Sequence, residues 1–118
     1  MAGEALFIGW GQVVRGREQK ALDVFNESVQ YWGSLQGDGK IESLDIVLLV
    51  PHGGDLAGFA LLKGDAATLD EVRRSDDFQR SMTRASMVVE GLGVVPGYSG
   101  ESLGEQMAVF QQQIGELS

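Results

Sequence analysis

Cysteine is absent from the 118-residue chain, and histidine occurs once, as His52. The lack of thiols excludes disulfides, thiolate metal sites and a cysteine nucleophile. A single imidazole also excludes any site built from several histidines. We therefore expect no resident metal and no cofactor.

Positive charge is scarce as well. The chain has 9 lysines and arginines against 17 acids, a net charge of −8. Such a chain repels phosphate backbones and anionic surfaces, so the composition predicts neither a nucleic-acid partner nor a membrane partner. No apolar run approaches the roughly 18 residues of a membrane span, and no basic segment precedes the apolar stretch at 5–10. The expected location is the cytoplasm.

Proline is rare, at 2 residues, whereas glycine is abundant, at 17. The apolar share of 43% and charged share of 22% are typical of one globular domain. We predict a single domain over 1–118, with its core in 5–100 and a C-terminal helix at 102–117. Most glycines fall between predicted elements, but Gly9 and Gly11 fall inside one.

Hydrophobic periodicity predicts the order of the elements. Apolar residues that alternate indicate strands, and apolar residues that recur every three or four positions indicate helices. Thr68 with Glu71 and Ser102 with Glu105 have the spacing of capping boxes, and Ser75 is an N-cap that divides the second helix. The predicted order is strand 5–14, helix 17–33, strand 41–50, strand 59–63, divided helix 68–92, strand 94–99 and helix 102–117.

This order matches the ferredoxin-like βαββαβ fold, an α+β class with an antiparallel sheet, followed here by an added C-terminal helix. Pro96 makes the last strand an edge strand. The helices of this fold cover one sheet face, but the second strand carries Ile46 and Leu48 on one face and Val47 on the other. A monomer rarely exposes such an apolar face. We therefore predict a homodimer in which the sheets of two copies pack together.

With this element order, and with the strand-turn-strand segment around residues 51–58, the chain resembles the dimeric α/β-barrel superfamily over residues 6–99. In that superfamily two ferredoxin-like subunits press their sheets together. Its members include cofactor-free monooxygenases, muconolactone-isomerase-like enzymes, haem-binding relatives and stress-responsive proteins. The resemblance includes no catalytic motif, so the fold alone does not determine the function.

Two classes of function remain open. One is a cofactor-independent monooxygenase-like or isomerase-like enzyme that acts on a hydrophobic or aromatic metabolite. The other is a non-catalytic dimer that binds a small ligand or a protein. A cavity of a few hundred Å³, lined by Trp or Tyr and reached by a polar group, favours the enzyme.

Two titratable residues are candidates for catalysis. His52 lies beside Asp55 in the predicted hairpin loop, where it is either a general base or a solvated loop histidine. Asp45 interrupts an apolar strand, so its carboxylate is either the ion-pair partner of Lys63 or a functional acid.

Small and aromatic residues predict a ligand pocket. Gly9 and Gly11 leave volume on the first strand, which this fold places beside the third strand. That volume is either a concavity for a small ligand or a site where protein atoms pack on bare backbone. The predicted ligand-binding residues are Trp10, Gly9, Gly11, Tyr31, Trp32, Phe59 and Lys63.

The final helix has an unusual composition, because no Lys or Arg follows Arg84. Its apolar residues fall on one stripe, which predicts that the helix packs against a neighbouring subunit. The stripe consists of Leu103, Met107, Phe110, Ile114 and Leu117.

Overall fold

The elements follow the predicted order in a computed structural model that describes residues 4–118. Residues 1–3, the start of the predicted domain, lie outside the described residues. The elements are β1 (Ala5–Trp10), α1 (Glu18–Gly37), β2 (Ser43–Leu48), β3 (Gly58–Lys63), α2 (Ala66–Arg74), α3 (Asp76–Ser86), β4 (Gly93–Gly97) and α4 (Glu101–Leu117).

The four strands form one antiparallel sheet in the order β2-β3-β1-β4. The strands β1 and β3 are therefore central, and β4, which contains Pro96, is an edge strand as predicted. This is the ferredoxin-like α+β fold expected from the sequence. No helix within residues 4–118 is both long enough and apolar enough to cross a lipid bilayer.

The strand register separates the residues of the two sheet faces. Ile8 lies opposite Ala60 and Gly9 lies opposite Phe59, and opposite residues of an antiparallel pair share a face. The face that carries Ile8 and Ala60 is buried beneath the helices. We call the other one the open face; it carries Phe7, Val47, Phe59, Leu61 and Val95.

Helices α2 and α3 are separated at Ser75, as predicted, and its Oγ accepts a hydrogen bond from the Phe78 N–H at 3.3 Å. The cap of α2 differs from the prediction. The Asp65 carboxylate accepts from the Thr68 N–H at 3.1 Å, so the helix begins before Thr68 and the predicted capping box is wrong.

The end of α3 also differs, because the helix stops at Ser86 rather than near residue 92. Residues 11–14 leave the sheet and hydrogen-bond to the segment 88–90 instead. The Gly11 N–H donates to the Glu90 carbonyl at 2.7 Å, and the Val14 N–H donates to the Val88 carbonyl at 2.9 Å. These bonds end both the first strand and the helix earlier than the periodicity predicts.

The last helix, α4, projects from the rest of the chain. Its one buried residue is Ser102, in the first turn. The described chain is accordingly elongated, with extents of 53 × 37 × 22 Å.

Candidate ligand-binding site

A cavity of about 460 Å³ lies between the helix-covered face of the sheet and the helices α1 and α3. This volume falls in the range of about 300–1,000 Å³ that is usual for small-molecule sites. Most of the lining is apolar and comes from Ile8, Ala21, Leu22, Val24, Leu48, Leu49, Ala57, Met82, Ala85, Val88, Val89 and Leu92.

Three aromatic side chains form one part of the cavity wall. The Trp10 ring stacks on the Trp32 ring with 6.4 Å between centroids and meets the Phe25 ring edge-on at 6.1 Å. Phe25 and Trp32 lie seven residues apart, so both fall on the same side of α1. Because planar rings favour stacked or edge-on neighbours, this wall suits a flat apolar ligand.

Polar groups are few in the lining, and two of them already have partners. The Ser28 hydroxyl donates to the Val24 carbonyl at 2.9 Å. The Glu18 carboxylate accepts from the Gly16 N–H at 3.1 Å. Hydrogen bonds from its own backbone N–H and from that of Gly16 hold the pKa of Glu18 below its usual value. Glu18 is therefore ionised at neutral pH.

The other polar side-chain groups of the lining belong to Trp10, Gln12 and Trp32. Trp32 is 2% exposed, and its indole N–H has no hydrogen-bond acceptor among residues 4–118. A buried donor without an acceptor costs about 1–3 kcal/mol. A ligand with an acceptor group would therefore gain affinity if it reached this N–H.

The structure brings three of the seven predicted ligand-binding residues together in the cavity: Trp10, Gly11 and Trp32. Gly9, Phe59 and Lys63 lie instead on the other side of the sheet, the side of the open face. Successive residues of a strand belong to opposite faces of the sheet. Gly9 is one residue from Trp10, and Phe59 and Lys63 are one and five residues from Gly58, the partner of Trp10, so all three belong to the opposite face.

Protein atoms fill the space beside both strand glycines. A Cβ at Gly9 would lie 2.6 Å from the Phe7 ring, and a Cβ at Gly11 would lie 2.8 Å from the Glu90 carbonyl oxygen. Close packing on bare backbone is therefore the better interpretation of these two glycines, and the cavity volume arises elsewhere.

His52 lies outside the main cavity, in the exposed loop between β2 and β3. Its Nδ1 is 3.0 Å from the Val50 carbonyl oxygen, so this carbonyl, rather than the Asp55 carboxylate, orients the ring. The ring borders a hollow of about 270 Å³ that shares Gln12, Leu49 and Ala57 with the main cavity. The two spaces are therefore adjacent.

Asp45 is exposed on the side of the open face, away from the cavity. It lies opposite Leu61, whereas Lys63 lies opposite Ser43, two residues farther along. The ion pairs formed within the described chain do not include Asp45. The predicted pair between Asp45 and Lys63 is thus not formed within one subunit.

Tyr31 belongs to a second hollow of about 170 Å³, between α1 and α3. Burial raises the pKa of its phenol above 10.0. The hollow is charged, because Arg84 donates to the Glu27 carboxylate at 2.8 Å beside it. Ser28 borders both this hollow and the main cavity.

Several lining residues were missed as site residues from the sequence, namely Gln12, Glu18, Phe25, Ser28 and Met82. Phe25 and Ser28 lie on the apolar stripe of α1, where they look like ordinary core positions. The available signal is the hydroxyl of Ser28, a polar group in the middle of that stripe. No group of three or more metal-ligating side chains occurs in the part of the chain that the structure describes.

No family model matches the sequence, and no curated protein matches it either. Several solved structures share its fold. A dimeric protein of ferredoxin-like fold from Bacteroides fragilis superposes with a TM-score of 0.59 at 10% identity, covering 84% of this chain and 100% of that one. An ethyl tert-butyl ether degradation (EthD) family protein from Bacillus halodurans gives a TM-score of 0.62 at 14% identity, with coverages of 81% and 97%.

A third similar structure is SnoaB, a cofactor-independent oxygenase from Streptomyces nogalater. Its TM-score is 0.51 at 14% identity, and the superposition covers 84% of this chain and 97% of that one. These likenesses confirm the predicted ferredoxin-like fold.

Proposed function

We propose that the cavity binds a flat apolar or aromatic small molecule and that the chain is a cofactor-independent enzyme, of monooxygenase or isomerase type, acting on that molecule. The observation that carries the proposal is the cavity of about 460 Å³ with Trp10, Phe25 and Trp32 in its wall. The likeness to a cofactor-independent oxygenase supports the same class of reaction.

The apolar lining is compatible with such chemistry. When a CH₂ group of the substrate reacts with O₂ to give a carbonyl and water, the substrate itself supplies the electrons. The protein then has to orient the substrate and exclude water from it, and an apolar cavity wall contributes to both. An isomerisation needs the same orientation together with a group that moves a proton.

His52 is the candidate proton acceptor in this proposal, because its hollow adjoins the cavity through Gln12, Leu49 and Ala57. A proton on Nδ1, donated to the Val50 carbonyl, leaves Nε2 as the basic nitrogen. Asp45 is on the opposite side of the sheet, so it is assigned no part in the reaction.

We also propose that the protein is a homodimer in which the open faces of two copies pack together. Phe7 and Phe59 stack on this face with 5.2 Å between ring centroids, and Val95 beside them is 54% exposed. Burial of such a surface stabilises association by about 25 cal/mol per Å² before the cost of association is subtracted. The similar protein from Bacteroides fragilis is itself dimeric.

The second candidate function is non-catalytic binding of the same class of ligand. The lining favours this function, because among the described residues that line the cavity only Glu18 carries a carboxylate or an imidazole. Its lowered pKa makes it a weak base. An interior without further acid-base groups suits storage or sensing of a ligand as well as it suits catalysis.

Tryptophan fluorescence tests binding directly, because both tryptophans of the chain lie in the cavity wall. Titration with naphthol, a planar probe, should quench the emission saturably, and a saturated bicyclic alcohol of similar size should bind more weakly. Ala85→Leu places extra atoms in the cavity and should weaken naphthol binding about tenfold, or 1.4 kcal/mol.

Ala67→Leu is the matched control, since residue 67 is exposed on α2. If both leucine variants titrate alike, the cavity is not the binding site. Native mass spectrometry of protein purified without added ligand would then identify any ligand that is retained elsewhere.

Oxygen uptake separates a monooxygenase from a binding protein. With a hydroxylated polycyclic probe that binds, a monooxygenase consumes O₂ and forms a product labelled by ¹⁸O₂, whereas a binding protein does neither; an isomerase is recognised instead by a product of unchanged mass that forms without O₂ uptake. If His52 is the base, His52→Ala slows turnover by about 10²-fold or more while naphthol affinity stays unchanged. An undiminished rate removes His52 from the mechanism.

A further inference from the structure

Helix α4 carries an apolar stripe that its own chain does not cover. Ser102 is the buried residue of this helix, and Phe110 at its middle is 60% exposed. The stripe consists of Leu103, Met107, Phe110, Ile114 and Leu117, all of them exposed. A surface of this kind normally has a partner.

The spacing of the stripe is that of a two-helix seam. Its five residues follow one another at intervals of four, three, four and three, which is the seven-residue repeat of coiled coils. From the first to the last of them the stripe extends about 21 Å along the helix axis.

The positions beside the stripe are uncharged, and this permits a second copy of the chain as the partner. They are occupied by Gly104, Gln106, Gln111 and Gln113, whereas Glu105 and Glu116 lie toward the far side of the helix. The chain has a net charge of −8, and α4 contains no Lys or Arg. Acids beside the seam would repel a second copy, and uncharged residues do not.

The stripe is also nearly symmetric about Phe110. Leu103 and Leu117 lie seven residues to either side of it, and Met107 and Ile114 lie three and four residues away. An antiparallel pair of identical helices that meets face to face at Phe110, rather than interlocking as an antiparallel coiled coil does, would bring Phe110 against its own copy and Leu103 against Leu117. In that orientation each helix N-terminus lies beside the C-terminus of the other helix, where their dipoles attract.

We propose that α4 docks against the α4 of a second copy of this chain, antiparallel and centred on Phe110. The contact is self-complementary, as a two-fold axis requires. It is separate from the contact proposed for the open face, and it is independent of the proposed ligand site. Both proposed contacts between copies would bury apolar surface that a single copy leaves exposed.

Disulfide trapping tests the contact cleanly, because the natural chain has no cysteine. Under mild oxidation Phe110→Cys should give a covalent dimer on a non-reducing gel. Gln112→Cys is the matched control, since residue 112 lies on the opposite side of α4. The proposal is overturned if Phe110→Cys is crosslinked no faster than Gln112→Cys while both variants retain the native circular dichroism.

Orientation is tested with two further variants. A mixture of Leu103→Cys and Leu117→Cys should crosslink several times faster than Leu103→Cys alone, because antiparallel helices bring these two positions together. Faster crosslinking of Leu103→Cys alone indicates a parallel pair and overturns the antiparallel arrangement. Neither result depends on whether naphthol binds the cavity.

Discussion

Glu4 and Ser102 are joined by two hydrogen bonds that run in opposite directions. The Glu4 N–H donates to the Ser102 hydroxyl at 3.3 Å, and the Ser102 N–H donates to the Glu4 carboxylate at 2.6 Å. The carboxylate thereby satisfies a backbone donor in the first turn of α4. These bonds attach the last helix to the start of the first strand.

Loss of the Glu4 side chain should weaken this attachment. We expect Glu4→Ala to lower the free energy of unfolding by about 1 kcal/mol, the usual cost of losing a helix N-terminal cap. Glu4→Gln keeps an acceptor oxygen and should cost less. Urea unfolding measures both, with Glu105→Ala on the exposed side of α4 as the control. Equal midpoints for Glu4→Ala and Glu105→Ala would contradict the attachment.

The two strand glycines should differ in their tolerance of alanine. A Cβ at Gly11 meets the backbone oxygens of Glu90 and Asp55 at 2.8 and 3.0 Å, whereas a Cβ at Gly9 meets side-chain atoms of Phe7 and Leu56. Side chains can move and the hydrogen-bonded backbone cannot, so Gly11→Ala should destabilise the fold by about 1–3 kcal/mol. Gly9→Ala should cost less in the same thermal unfolding experiment, and the reverse order would disprove this account.

A charge on the open face should disrupt self-association without unfolding the subunit. Val95→Glu places a carboxylate on the edge strand, where the proposed dimer would bury it. Sedimentation velocity over a range of concentrations should show a shift toward a smaller species than the unmodified chain forms. Val50→Glu, at an 80% exposed loop position, is the control and should sediment like the unmodified chain. Identical behaviour of both variants would place the interface elsewhere.

Asp70 should contribute stability at neutral pH that is lost in acid. The Arg73 guanidinium donates to its carboxylate at 3.0 Å and holds the pKa of Asp70 below 3.8. A lowered pKa in the folded state adds stability above the unfolded-state pKa, and this is lost as the pH falls through the folded-state pKa.

Asp70→Asn should therefore lower the melting temperature slightly at pH values above that range, because the pair is exposed at the surface. The difference from the unmodified chain should shrink below it. Asp55→Asn, at a loop residue that forms no ion pair in the described chain, is the control. A difference that persists unchanged in acid would exclude the ion pair as its cause.

Local patterns were sufficient for the fold because they agree with one another along most of the chain. Alternating apolar residues locate the strands in the sequence, and Pro96 identifies β4 as an edge strand. The patterns failed where contacts between distant parts of the chain determine the secondary structure. Val89 and Leu92 continue the helical spacing of α3, but hydrogen bonds from residues 11–14 hold this segment outside the helix.

The site could be predicted only in part, since the direction of a side chain depends on register and helical phase. Trp10 and Trp32 were found because large aromatic residues border the predicted core. Phe59 was placed with them although it faces the opposite side, because both faces of the central strands are apolar. Tyr31 adjoins Trp32 in sequence but is rotated about 100° around α1, which carries it into the other hollow.

Ser28 borders two hollows of opposite character, one apolar and one charged. Under the proposed function, the size of the residue at position 28 would limit the length of the ligand that the apolar cavity accepts. A glycine there would open the cavity toward Arg84 and Glu27 and admit a longer molecule with a polar end. A leucine there would close that side and restrict the cavity to compact hydrocarbons. A single position of α1 would then set the range of ligands that the proposed site of this chain binds.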